Sequence, residues 1–225
     1  MSINVVDKID EAVQVRHVLV SVSDKSGLDA FIPGLKVLNP EIRFFSTGGT
    51  YARIKEILGS AADCLTQVSD YTGQPETQGG LVKTLDFKIY LGLLTETYNP
   101  SHQGDLTRTG AVPIDMVVVN LYPFKETIAR SDVTVEQARG NIDIGGPCMI
   151  RASAKNYLRV ASVVDPSDYA AILAEMKEHQ GNIPLARRFA LARKAFAHTA
   201  DYDRAIADYL ADQPDAAVSG CYRLQ

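Results

Sequence analysis

"HVLVSVSDKSG", His17–Gly27, reads in two halves. The first half is a short apolar run, the pattern of a strand buried on both faces. The second half puts serines, a lysine and a glycine where the chain leaves that strand. "GLDAFIPGLKVL" then reads as a helix with a proline near its start. Ser21, Ser23, Lys25 and the free N–H groups of the helix would converge at the strand's carboxyl end. Open α/β sheets bind ligands there, and helix N-termini favour anions. A plain helix cap with a solvated lysine would leave the same letters.

The same device recurs downstream. "IRFFST" is a second strand, and "STGGT", Ser46–Thr50, turns it into the helix "GGTYARIKEIL". Gly48 and Gly49 let backbone approach an anion closely, while Thr47 and Thr50 add hydroxyls. Two such turns on sequential strands favour a phosphate site. Neither fits the Walker or dinucleotide fingerprints, so neither ATP nor NAD is indicated.

Further strands are read at "DCLTQV", "KIYLGLL", "DMVVVNLY" and "RVASVVD". The β-branched run "DMVVVNLY" suits a central parallel strand covered on both faces. "TVEQARGNI" opens with a capping-box pattern, Thr134 with Gln137. From Ser167 onward the text reads as helical. Strand–helix alternation predicts an α/β fold, a mostly parallel doubly wound sheet with helices on both faces plus a C-terminal helical extension. The expected organisation is an N-terminal extension over residues 1–14, one domain over 15–212, and a loose tail over 213–225.

Composition sets the outer limits. A chain of 225 residues is long enough to bury a real core, and its net charge of −4 argues against a nucleic-acid binder. Cys64, Cys148 and Cys221 are odd in number and far apart, which fits a reducing compartment better than a disulfide framework. The four histidines lack metal-ligand spacing. The N-terminus has no signal-peptide core, and no apolar run approaches the roughly 20 residues that span a bilayer. The expectation is a cytoplasmic protein with no metal, no membrane association and no nucleic-acid partner.

Three more stretches carry candidate chemistry. "QGGLVKTLDFK" places Lys83 and Thr84 after a glycine pair; in a pocket such a lysine stabilises an oxyanion or serves as an acid, and elsewhere it is a surface charge. "VVNLYPF" ends a buried strand with Asn120 and Tyr122. "NIDIGGPCMIRASAKNY", Asn141–Tyr157, runs the carboxylate of Asp143 into Gly145 and Gly146, opens a helix, and reaches Lys155 near its end. At 1.5 Å per residue one straight helix separates Asp143 from Lys155 by roughly 18 Å. The two would meet across a dimer interface or if the helix is broken. Cys148 reads as a small buried residue in that helix.

Taken together, the chain resembles the inosine-monophosphate cyclohydrolase domain of the bifunctional purine-biosynthesis enzyme. The resembling pieces are "SVSDKSG", "STGGT", "VSDYTGQPE", "GGLVKTL", "IDMVVVNLYPF", "NIDIGGPCMIRASAKN", "VVDPSDY" and "KAFAHTADYD". They follow the family's order over almost the whole chain. The resemblance implies a methylglyoxal-synthase-like fold, a homodimer, and no cofactor or metal. The implied reaction closes 5-formamidoimidazole-4-carboxamide ribonucleotide to inosine monophosphate with loss of water. It places the substrate phosphate on Ser21, Ser23, Lys25 and Thr47–Thr50. It surrounds the reacting end with Lys83, Thr84, Asn120, Tyr122, Asp143, Gly145, Gly146 and Lys155. Lys83 would polarise the formyl oxygen, and Asp143 and Lys155 would handle the amide proton and the departing water. Which lysine stabilises the oxyanion stays open.

One segment departs from the family's pattern. Leu81 stands for an arginine, Asp86 and Tyr90 for histidines, Phe87 for a proline and Leu91 for a small residue. A lost cation and a gained carboxylate would make that part of a pocket less welcoming to an anion. This supports a second reading, a non-catalytic nucleotide-binding or regulatory partner on the same scaffold. A third keeps only the phosphate grip, for another small phosphorylated substrate. The resemblance does not extend to the family's formyl-transfer domain, so the expectation is either a stand-alone cyclohydrolase with a separate formyltransferase as partner or a fragment of the longer enzyme.

Overall fold

The computed structural model describes residues 5–75, 77 and 83–223. Its core is a five-stranded parallel sheet in the order β4-β3-β2-β5-β6. The strands are β2 (His17–Val22), β3 (Arg43–Ser46), β4 (Leu65–Gln67), β5 (Met116–Asn120) and β6 (Ala161–Val163). Side chains alternate across this sheet as the pleat requires. Val18, Val20 and Val22 join one apolar layer, and Leu19 joins the other.

The first layer is closed by α1 (Leu28–Leu38), α2 (Gly48–Leu58) and α9 (Tyr169–Glu178). Phe31, Ile32 and Leu35 of α1 and Ile172 and Met176 of α9 are fully buried there or nearly so. Pro33 lies within α1 rather than near its start. The second layer is closed by α4 (Phe87–Leu94), α8 (Gly145–Lys155) and the long α10 (Leu185–Ala211). The connections from β2 to β4 thus use one face and those flanking β5 the other. The chain winds outward in opposite directions from the β2–β5 pair, and that switch point opens a crevice at the strands' carboxyl ends.

"KIYLGLL" is a helix, not the strand its apolar run suggested. The Asp86 carboxylate accepts the Lys88 N–H at 2.8 Å and caps α4. Ile89, Gly92 and Leu93 then fall on one buried face at helical spacing. The capping box at Thr134 forms as read and opens α7 (Val135–Gly140). Two short strands were not anticipated: β1 (Ala12–Gln14) pairs antiparallel with β7 (Asn182–Pro184). Arg188, fully buried, fixes this ribbon by donating to the carbonyls of Asp10, Glu11, Tyr157, Leu158 and Ile183. The tail expected to be loose carries α11 (Asp215–Ser219). The remaining helices are α3 (Val68–Thr72), α5 (Pro100–Thr109) and α6 (Phe124–Ile128). Among the described residues, no helix is long and apolar enough to cross a membrane.

Candidate active site

A cleft of about 380 Å³ opens at the switch point. Ser21 near the end of β2, Ser23 and Lys25 after it, and Thr47–Thr50 after β3 line it. The two turns are stitched together. The Thr50 hydroxyl accepts the Val22 N–H at 3.1 Å and donates to the Val22 carbonyl at 3.0 Å. The Asn120 side chain accepts the N–H groups of Ser23 (2.7 Å) and Asp24 (2.8 Å) and returns a hydrogen bond to the Asp24 carbonyl. Asn120 and Thr50 therefore shape the cradle, using on loop backbone the groups that the sequence had suggested for the ligand.

The helices that follow, α1 and α2, are preceded by Gly27 and Thr47, neither of which makes a side-chain cap hydrogen bond. The first N–H groups of α2, at Gly48–Thr50, open on the cleft and are the kind that take an anion, whereas the Leu28 N–H of α1 donates to the Lys25 carbonyl and its first residues do not line the cleft. Gly48 has φ of +48°, in the left-handed region that favours glycine. A methyl group there would meet the Lys83 Nζ at 3.4 Å, and one on Gly49 would meet the Lys25 Cε at 3.8 Å. Both ammonium-bearing chains thus lie over the bare turn.

Thr84, Tyr122, Asp143, Gly145 and Gly146 line the cleft as well, with Lys83 reaching the Gly48 turn. The glycine pair is a matter of space. A Cβ on Gly145 would come within 2.7 Å of the Thr84 Oγ1, and one on Gly146 within 2.6 Å of the Asp143 Oδ2. The Asp143 carboxylate accepts the Gly146 N–H at 2.9 Å at the mouth of α8. Burial raises the Asp143 carboxyl above its ordinary value, opposed by the N–H groups of Gly146 and Tyr122. Tyr122 and Ile144 stand at the rim, 53% and 58% exposed.

Lys155 lies elsewhere. It is exposed at the far end of α8, an unbroken helix, and is not among the residues lining the cleft. The altered segment is also mostly turned away. Leu85 lines the cleft, whereas Asp86, Phe87, Tyr90 and Leu91 do not. Asp86 is occupied as a helix cap, so the carboxylate expected to repel an anion does not face one. Burial pushes the Tyr90 phenol up, with Cys148 beside it. Cys148 itself is half-buried in the first turn of α8. The glycine pair Gly79–Gly80 and Leu81 lie outside the described residues. Among the described residues, no cluster of histidine, cysteine and carboxylate side chains is placed to hold a metal.

Sequence reading missed Tyr202. Its hydroxyl accepts the Asp143 N–H at 2.8 Å from 59 positions away. The only signal available was its place in "HTADYD", a stretch assigned no role.

A five-stranded parallel sheet wound in both directions from a switch-point cleft, with the turns after its first two strands lining that cleft, places the chain among doubly wound α/β domains. The family model described as MGS-like domain matches residues 28–148, more than half of the chain, and the chain belongs to that family. The model described as AICARFT/IMPCHase bienzyme matches residues 153–224. The chain is homologous to the "Bifunctional purine biosynthesis protein PurH" of Synechococcus sp. (strain CC9605). The two are 49% identical over 205 residues, 90% of this chain and 38% of that protein. The protein of the same name from Acidithiobacillus ferrooxidans (strain ATCC 53993 / BNL-5-31) is 48% identical over 197 residues, 88% of this chain and 37% of that one. The chain therefore spans less than two-fifths of these relatives. The crystal structure of ForH superposes with a TM-score of 0.76 at 31% identity, covering 87% of this chain and 97% of ForH.

Proposed function

We propose that the protein acts in purine biosynthesis as an inosine-monophosphate cyclohydrolase, closing 5-formamidoimidazole-4-carboxamide ribonucleotide to inosine monophosphate and water. The observation that carries this reading is the convergence, in one cleft, of a phosphate cradle with Lys83, Tyr122 and Asp143. The likeness to PurH supports it.

The ribose 5′-phosphate rests on the α2 N-terminus and the Thr47–Thr50 turn, with Ser21, Ser23 and Lys25 beside it. The base lies towards Lys83 and Asp143. A carboxamide nitrogen is a poor nucleophile, so a carboxylate made more basic by burial helps to take its proton. As the N–C bond forms, negative charge gathers on the formyl oxygen, and the Lys83 ammonium stabilises it. That oxygen then leaves as water, carrying the proton taken from the carboxamide and the one given up by the formamido nitrogen as the carbon forms its double bond to that nitrogen. Thr84 and Tyr122 supply hydroxyls beside the reacting end. No cofactor or metal is needed.

Lys155 enters this scheme from a second protomer of a homodimer. Mixing Lys83→Ala with Lys155→Ala protein then restores part of the activity that each has lost. A mixture as inactive as its components removes the shared site. The formylated substrate comes from a formyltransferase, and the setting is the cytoplasm.

The whole reading is tested by mixing purified protein with the formylated ribonucleotide and following purine absorbance. Turnover supports it. Nucleotide binding without turnover points to the non-catalytic reading, and no binding of either nucleotide contradicts both.

A further inference from the structure

"KAFAHTADYD" stands out in the sequence, yet none of its residues lines the cleft. It lies within α10, which packs along α8 and β6. Tyr202 is nearly buried in this stretch, its ring edge-on to Phe124 with centroids 6.1 Å apart. Its hydroxyl meets the turn that carries the acid. It accepts the Asp143 N–H at 2.8 Å and donates to the Asn141 carbonyl at 3.3 Å. One oxygen therefore holds both sides of the 141–143 turn.

The turn needs such a hold. Asn141 and Ile142 are tied back to α7 by their own N–H groups, the neighbouring Ile144 is exposed, and the Asp143 N–H is tied instead to the Tyr202 hydroxyl. Asp143 itself holds α8 through the Gly146 N–H. The carboxylate thus fixes the start of α8 from one side while α10 fixes the backbone of the carboxylate from the other. Phe124 adds a rigid wall behind the Tyr202 ring, which limits where the hydroxyl can go.

We propose that Tyr202 is a positioning residue for Asp143, tethering the acid's backbone so that its carboxylate is held in the cleft rather than in open water. As a statement about catalysis this rests on the cyclohydrolase reading; as a statement about Asp143 it does not. Loss of the tether lets the turn relax outward, and small misplacements of a reacting group cost large factors in rate.

The test is Tyr202→Phe in the full chain, which keeps the ring against Phe124 and removes only the hydroxyl. Tyr209→Phe is the control, because Tyr209 also packs edge-on to Phe124 from the same helix. Two readouts are taken: kcat and KM for the formylated ribonucleotide, and the titration of Asp143 followed by carbon NMR. Tyr202→Phe lowers kcat about tenfold or more with little change in KM. It also moves the Asp143 midpoint down towards that of an ordinary aspartate, as the carboxyl gains water. Tyr209→Phe does neither. An unchanged kcat and midpoint in Tyr202→Phe, or equal changes in both variants, overturns the proposal. If the wild-type protein fails to turn the ribonucleotide over, the cyclohydrolase reading falls while the Asp143 midpoint still decides the tether. If Tyr202→Phe does not fold, amide exchange in the wild-type protein decides it: protection at the Asp143 N–H supports the tether, and exchange at the rate of an open turn contradicts it.

Discussion

The two ends of the parallel sheet each hold a buried or half-buried aspartate, and they treat it in opposite ways. At the amino end, Asp115 pairs with Arg159 at 3.0 Å, both side chains being buried, and also accepts the N–H groups of Arg16 and His17. Arg159 spends its remaining donors on the carbonyls of Gly92, Thr95 and Ile114. That aspartate is consumed by structure. At the carboxyl end, Asp143 accepts the backbone N–H groups of Gly146 and of Tyr122 beyond β5, and burial leaves its carboxyl raised. The same residue type is a fastener where a cation meets it and, in the proposed reaction, a base where water is withdrawn from it.

Breaking the fastener has the largest expected effect on stability. Arg159→Met leaves Asp115 buried without its cation and costs about 3–5 kcal/mol. Denaturant unfolding measures it, and kcat of the folded fraction stays near wild type. A cost below about 1 kcal/mol would mean that the amino-end pair is not a structural one.

The carboxyl end responds in the reverse sense. Lys83→Ala lowers turnover by about 10²–10³-fold, the scale of losing one charge-stabilising donor, with little change in the unfolding midpoint. Steady-state kinetics beside thermal unfolding separates the two. Large loss of stability with modest loss of rate would put Lys83 on the structural side of the comparison.

Asp143→Asn sharpens the contrast through pH. The wild-type carboxyl titrates higher in the folded than in the unfolded protein, so its ionisation opposes folding as pH rises from about 3.8 through the folded value. Asp143→Asn removes that opposition. Relative to wild type the variant gains stability at neutral pH, and the gain vanishes below the ordinary aspartate range. Unfolding measured across pH follows it, and turnover falls despite the gain. A variant less stable than wild type at neutral pH would make Asp143 a fastener as well.

Asp86→Ala has the smallest effect. It removes the cap of α4 and costs about 1 kcal/mol, and KM is unchanged because the carboxylate does not line the cleft. A lower KM in the variant would show that Asp86 does repel the ligand.

The sheet was legible because its central strands β2 and β5 are short, apolar and β-branched, and both helix-opening turns announced themselves through glycine and hydroxyl residues. The cleft followed, since parallel strands bring their carboxyl ends together. "KIYLGLL" was misread because a short apolar run has no period that separates strand from helix; the capping carboxylate of Asp86 was the deciding letter. The β1–β7 ribbon could not be read. Its strands are three residues each, 170 positions apart, and are held by the buried Arg188, whose partners are all backbone carbonyls. Tyr202 was hidden for the same reason, a contact between distant segments. The altered residues beside Lys83 looked damaging because sequence gives neighbours along the chain, not the direction in which a side chain points.

A crystal structure of the protein with inosine monophosphate bound is the most direct check of the central claim. The account predicts the 5′-phosphate on the turns Ser21–Lys25 and Thr47–Thr50, with the six-membered ring between Lys83 and Asp143. A nucleotide seated with its phosphate away from both turns, or with its base away from both side chains, would contradict it.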